Sequence, residues 1–425
     1  MPIDTPRGVQ DLSPREAISL RYIAGVVEEV YKRFGFAPLE TPAVESMSVL
    51  NAKAYGEDST NEIFVLSDEQ TGLRYDFTVP LARYVASNKD IAFPFKRYQI
   101  GTIWRKDEPQ RMRNREFFQA DVDIVGSTEP SSDAEVIAAN AMALEELGMN
   151  EYTVLLNDRK LLDLVLAYFK VSKEQMPEAI RAIDKLQKLG SVEVAKLLAS
   201  EAGIGRKSAE ELLGFVEQQG DSGELLDKVS AGVDGAKEEV ERMRNLLALL
   251  SEYKLKGRIV VDLSLARGLA YYTGFVWEFA VFDEGKRLPS VCGGGRYDNL
   301  IGVYSGKQVP ATGSSLGISR VFYLLGQKKT GASTYAKVFI AYIGDQNGAY
   351  AVNAATMLRG NGVYTDINTT GRNLSKQLEY ASSLGIGRVL IIGDKEREAN
   401  KVRLRDMSSG TEELISLQEA IEKLK

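Results

Sequence analysis

The segment 95–126 constrains the fold more than any other. Two runs rich in aromatic and β-branched residues, FKRYQIGTIW and FFQADVDIVG, flank a charged loop from Lys106 to Arg115. Runs of this composition on either side of a polar loop read as neighbouring antiparallel strands. EIFVLS, YTVLLN, GRIVVDLSLARG and FVWEFAVF are strand-like as well, which predicts a largely antiparallel sheet. Helices must flank it. Ser13, Pro14 and Glu16 fit an N-cap, a first-turn proline and a capping-box acid. Ile23, Val26, Val27, Val30, Tyr31 and Phe34 follow at helical spacing until Gly35. FAPLETPAVES then reads as a strand broken at Pro42.

The texture changes between Val171 and Tyr253, where Ala/Leu/Glu-rich segments with helical periodicity predict a helical insertion. Small polar residues and glycines at 326–335 suit a linker. Beyond it, strand-like KVFIAYIG, RVLIIGD and KVRLRD alternate with helical stretches, so 336–425 reads as a small α/β domain. The expected class is α+β. Residues 1–170 and 254–325 build one domain on an antiparallel sheet, 171–253 is the helical insertion, and 336–425 is separate.

Composition removes several chemistries. The chain contains no histidine, which excludes Ser-His-Asp, Cys-His and histidine–metal sites. Cys292 is the single cysteine, so a disulfide framework and cysteine-based zinc sites are excluded and a reducing cytoplasm is expected. No run of the chain has the roughly 18 uncharged apolar residues that a membrane helix needs, and the N-terminus lacks a signal-peptide core. The formal net charge is −6, yet seven basic residues face two acidic ones between Lys96 and Arg115. A local excess of this kind matters more to an anionic partner than the average does.

Four segments concentrate candidate chemistry. Arg105 ends the first long strand, while Gln119, Asp121 and Asp123 alternate on the second, where a period of two puts them on one face. A cationic fork with same-face carboxylates suits a ligand carrying phosphate and amine or imidazole groups. A solvated hairpin with a charged tip explains the pattern equally well. In GLRYDFTVPLARY, Asp76 and Thr78 share a face if the segment is a strand; a structural turn competes. LARGLAYYTG sets Arg267 just before the pair Tyr271 and Tyr272, and VCGGGRYD carries three consecutive glycines. Such glycines suit close backbone approach. GSSLGISR reads as a strand entering a helix with Arg320 near its start, where a surface ion pair is the competing role.

GFAPLETPAVES, the segment from Tyr98 to Gly126, and GSSLGISR resemble, in order, the three motifs of class II aminoacyl-tRNA synthetases. RGLAYYTG and GGGRYD resemble two segments peculiar to the histidyl-tRNA synthetases within that class. The resemblance spans residues 1–325, and the last ninety or so look like the family's anticodon-binding domain. LRYDFTVPLARY is similar to the archaeal and eukaryotic branch.

The resemblance implies a cytoplasmic, homodimeric histidine–tRNA ligase. Its substrates would be histidine, ATP and the histidine tRNA, with Mg²⁺ bound through the ATP phosphates and no metal held by the protein alone. By alignment, Asp76, Thr78 and Gln119 hold the amino-acid end of histidine, and Asp123 with Tyr272, beside Tyr271, reads the imidazole. Arg105 and Arg267 meet the α-phosphate, Arg320 the γ-phosphate, and Arg113 a further phosphate. Two departures affect the support of these arginines: Ala270 and Ser319 stand where the family usually has acids. The alternative is a non-catalytic synthetase-like regulatory subunit of histidine biosynthesis. Such proteins typically lack the C-terminal domain and have eroded histidine segments, whereas the domain and both segments are present here.

Overall fold

The computed structural model describes residues 3–51, 62–218, 220–267, 271–283, 286–326 and 333–425. It divides into two compact units, Met1–Gln10 with Ile23–Leu324, and Asp11–Tyr22 with Leu325–Lys425. Among the described residues no helix is long and apolar enough to cross a membrane.

The first unit is built on β1 (Ala37–Pro38), β2 (Val44–Ser46), β3 (Thr71–Leu73), β4 (Phe95–Trp104), β5 (Glu116–Val125), β6 (Tyr152–Asp158), β7 (Arg258–Val261), β8 (Phe275–Asp283), β9 (Lys286–Arg287), β10 (Cys292–Arg296) and β11 (Ala311–Leu316). Nine of these form one sheet in the order β1-β4-β5-β11-β10-β8-β6-β7, with β9 on β8. Only β1–β4 and β6–β7 are parallel pairs; the remaining pairs of this sheet are antiparallel. The long hairpin read from the sequence is β4–β5, paired in register from Phe95↔Val125 to Trp104↔Glu116.

The break at Pro42 separates β1 from β2. EIFVLS, by contrast, contributes only an isolated bridge, Val65↔Gly72. It runs directly into a turn in which Asp68 binds Gln70 and Thr71 and Glu69 takes a positive φ of 58°. Local turn chemistry therefore overrides β propensity there.

The helix Pro14–Arg33 starts with the anticipated capping box, Ser13 N and Oγ both donating to Glu16. Within the first unit its residues Ile23, Val27, Val30 and Tyr31 are buried. The region 171–253 is helical in its described parts, including Met176–Asp184, Arg206–Val216 and Lys237–Glu252.

The second unit holds β12 (Val338–Tyr342), β13 (Thr365–Ile367), β14 (Arg388–Ile392), β15 (Val402–Asp406) and β16 (Glu412–Ile415), ordered β13-β12-β14-β15-β16. Alternation divides its core between two faces. Val338, Ile340, Leu390 and Ile392 pack with Ala351, Ala355 and Leu358, whereas Phe339, Ala341, Val389 and Ile391 pack with Ala381 and Ile386. Residues 327–332 of the expected linker lie outside the described residues.

Candidate active site

A cavity of about 480 Å³ opens over the middle of the large sheet, a size suited to a small-molecule ligand. Its wall brings together nine residues singled out from the sequence: Asp76, Thr78, Arg105, Arg113, Gln119, Arg267, Tyr271, Tyr272 and Arg320.

The β4–β5 hairpin supplies the first arginines. Arg105 lies just beyond β4; its backbone N–H donates to Arg115 O (2.8 Å) and its Nε to Tyr75 O (3.0 Å). Arg113, in the loop, binds Asp107 Oδ2 through Nε at 2.8 Å. Arg320 follows β11 in the helix Ile318–Leu325 and donates through Nη1 to Ser290 O. Burial, then the neighbouring cations Arg105 and Arg113, depress its pKa from the usual guanidinium value. Cations pressed together in this way favour an anionic occupant. Ser319, which stands where the family usually has an acid, accepts a hydrogen bond from Phe118 N (2.9 Å) and so ties that helix to β5 beside Gln119.

Arg267 is held from several sides. Its backbone takes φ +29°, an uncommon conformation for a non-glycine residue. Nη1 donates to Trp277 O (3.1 Å), and the guanidinium lies 5.6 Å from the centre of the Tyr272 ring. Burial works against its charge, but Tyr272, Glu278, Tyr271 and Asp184 together raise its pKa. The three glycines of β10 gain their reason here. A β-carbon on Gly293 would fall 1.7 Å from Arg267 Nη1, one on Gly294 2.1 Å from Gly313 O, and one on Gly295 2.7 Å from the Tyr272 ring. Ala270, the other departure, lies outside the described residues.

The acidic end differs from the sequence reading in geometry. Asp76 and Thr78 do not alternate along a strand; Thr78 opens the helix Thr78–Ser87, and Asp76 accepts from Val79 N (3.0 Å) ahead of it. Helix-start geometry, rather than a period of two, turns both toward the cavity. Burial raises Asp76 to about 6 against the pull of that hydrogen bond, Arg105 and Arg97.

Asp123 is not among the lining residues; it lies 2% exposed among β4, β5 and β11. Its Oδ2 is 2.7 Å from Arg97 Nη2, and its Oδ1 accepts from the Tyr297 hydroxyl. Arg97 is fully buried, and its Nε and Nη1 have no acceptor among the described residues. A β-carbon on Gly313 would fall 1.8 Å from Asp123 Oδ1. Beside Asp123, Asp121 accepts from Gln119 Nε2 at 2.6 Å.

Glu62, Asp184, Glu278 and Cys292 also line the cavity and were not anticipated. Glu278 sits within FVWEFAVF, where a lone charge in an apolar strand was an available signal. Nothing in the sequence marked Asp184, which ends the helix Met176–Asp184 and is distant along the chain from the other wall residues.

A mainly antiparallel sheet carrying several arginines beside a small recess of carboxylate, amide and tyrosine groups is the arrangement expected of a class II aminoacyl-tRNA synthetase. A family model described as histidyl-tRNA synthetase matches residues 8–321, and one described as an anticodon binding domain matches 337–425. The histidine–tRNA ligase of Korarchaeum cryptofilum is 37% identical over 436 residues, covering 100% of this chain and 98% of that protein. That of Aeropyrum pernix is 38% identical over 424 residues, covering 98% and 96%. The crystal structure of histidyl-tRNA synthetase from Nostoc sp. superposes with a TM-score of 0.86 at 31% identity, covering 100% of this chain and 99% of that one. The chain belongs to the histidyl-tRNA synthetase family.

Proposed function

We propose that the protein is a histidine–tRNA ligase. It activates histidine with ATP to histidyl-adenylate and pyrophosphate, then transfers histidine to the 3′ end of its tRNA. The observation that carries this reading is similarity along the whole chain, at 37% and 38% identity, to two curated histidine–tRNA ligases in a chain whose cavity gathers Arg105, Arg113, Arg267 and Arg320 with Asp76, Thr78 and Gln119.

The chemistry follows from the groups at hand. The carboxylate of histidine is already ionised, so its attack on the α-phosphorus needs no general base. It needs alignment and neutralisation of the charge that spreads over the phosphate oxygens. Arg105 and Arg267 act at the α-phosphate, Arg320 and Arg113 on the outer phosphates. Asp76, Thr78 and Gln119 take the amino-acid end, while Tyr271 and Tyr272 flank the imidazole, with Asp123 beneath them. Mg²⁺ would arrive bound to the ATP phosphates. When bound, it neutralises charge on the departing pyrophosphate.

In the transfer step the tRNA hydroxyl must lose a proton. With no histidine in the chain, the acceptor is the adenylate's phosphate oxygen or the substrate imidazole. The C-terminal unit takes the anticodon, and the active form is a homodimer in the cytoplasm. A regulatory subunit without charging activity has less support: the segments RGLAYYTG and GGGRYD and the anticodon-binding domain are all present.

ATP–pyrophosphate exchange, run with each amino acid in turn, tests the reading. Exchange that depends on histidine alone is expected. Exchange with another amino acid, or none at all in folded protein, would overturn it.

A further inference from the structure

Asp121 lies outside the cavity wall, 1% exposed, yet it controls a group that is part of that wall. Gln119 Nε2 donates to Asp121 Oδ1 at 2.6 Å. A carboxylate only accepts hydrogen bonds, whereas a glutamine amide has a donating and an accepting end. The pair therefore fixes the amide, with its NH₂ end turned down to Asp121 and its oxygen left for the cavity. No hydrogen bond from a described residue reaches Gln119 Oε1. An oxygen so placed attracts the α-ammonium of an amino acid; an amide turned over would repel it.

We propose that Asp121 is a positioning residue for amino-acid binding, acting by dictating which end of the Gln119 amide faces the substrate. The proposal rests on the reading that Gln119 holds the amino-acid end of histidine.

The surroundings of Asp121 favour this role. It sits opposite Gln99 on β4 and Ser315 on β11, in the middle of three paired strands. Ser315 also hydrogen-bonds to it. The charged and titratable groups that face it are Arg97 and Arg74, Asp123 on its own strand, Cys292 on β10, and the phenols Tyr31 and Tyr297. Burial raises Asp121 to about 7, opposed first by Arg97. The protonated acid can donate to the amide oxygen and so release the constraint. Amino-acid affinity should therefore fall as pH drops through about 7.

The test compares wild type with Asp121→Asn, which keeps the size but can either accept or donate. Loss of one charge-linked contact made equally in ground and transition states raises KM and spares kcat. The KM for histidine should rise about 10-fold, with kcat and the KM for ATP little changed. Histidine's own imidazole and Asp76 titrate in the same range, so the pH reading is the difference between the two proteins. Wild type should lose affinity between pH 8 and pH 6 more steeply than the variant.

3-(Imidazol-4-yl)propionate, which lacks the ammonium, should inhibit both forms equally. Gln119→Ala is measured in parallel, with melting temperatures throughout. An unchanged KM for histidine in Gln119→Ala would remove the reading of Gln119 itself. A raised KM there with a normal one in Asp121→Asn would remove only the role of Asp121. Equal losses for ATP or for the deaminated analogue in Asp121→Asn would show a general structural defect and overturn the proposal.

Discussion

The guanidinium of Arg267 occupies the space that a side chain at residue 293 would need: a β-carbon on Gly293 would lie 1.7 Å from Nη1 and 2.8 Å from Cζ. The glycine is thus part of how Arg267 is aimed. In Gly293→Ala the arginine must move, and a misplacement of about 1 Å can cost on the order of 10²-fold in rate. Adenylate formation at saturating histidine and ATP should slow by about that factor, and Arg267→Ala should lose at least as much. Arg267→Lys keeps charge without the planar fork and should recover only part of the rate. Pre-steady-state adenylate formation, with melting temperature alongside, is the measurement. A normal rate in Arg267→Ala would sink the catalytic assignment.

Mutation should separate the role proposed for Asp123 at the imidazole from its observed pairing with Arg97. If it reads the imidazole, Asp123→Ala raises the KM for histidine roughly 10- to 100-fold while sparing that for ATP. The same change leaves the fully buried Arg97 without its ion-pair partner. Removing one partner of a buried pair costs about 3–5 kcal/mol, so a lower melting temperature is expected too. The double variant Asp123→Ala/Arg97→Met removes both charges and should regain stability but not histidine affinity. Recovery of both would show that Asp123 acts on the fold alone.

Asp76 gives a pH dependence with a definite sign. Its folded value of about 6 lies above its ordinary 3.8 because burial disfavours the charged carboxylate. The folded state therefore binds more protons between these values, and Asp76 costs stability increasingly as pH rises from about 4 to above 6. The cost at high pH is up to roughly 3 kcal/mol. Asp76→Asn can still accept from Val79 N and avoids the charge. It should melt higher than wild type at pH 8 and match it near pH 4, while binding histidine less well. A variant that melts no higher at pH 8 would contradict this account of the burial.

Two units and two family models suggest a division of labour. A chain ending at Gly326 should keep some histidine-dependent pyrophosphate exchange and charge tRNA poorly. Charging by the truncated chain at the full-length rate would remove the anticodon role from the C-terminal unit.

The sequence by itself determined what depends on neighbours along the chain. The β4–β5 hairpin, the capping box at Ser13 and Glu16, the helical texture of 171–253 and the strand-to-helix passage before Arg320 are all local patterns of period, cap and turn. The ordered motifs marked the family because residue type and spacing survive without knowledge of packing. Tertiary structure decided what crosses between elements. Asp76 and Thr78 meet the cavity through a helix start that a short segment could equally have replaced with strand. Asp123 shares a face with Gln119 by period, as read, but the pairing of β5 with β4 and β11 decides that Arg97 and Tyr297 reach it first. Asp184 joins the wall from the helical insertion, a contact no spacing encodes. Periodicity fixes direction within one element; distance between elements is fixed only when their side chains pack.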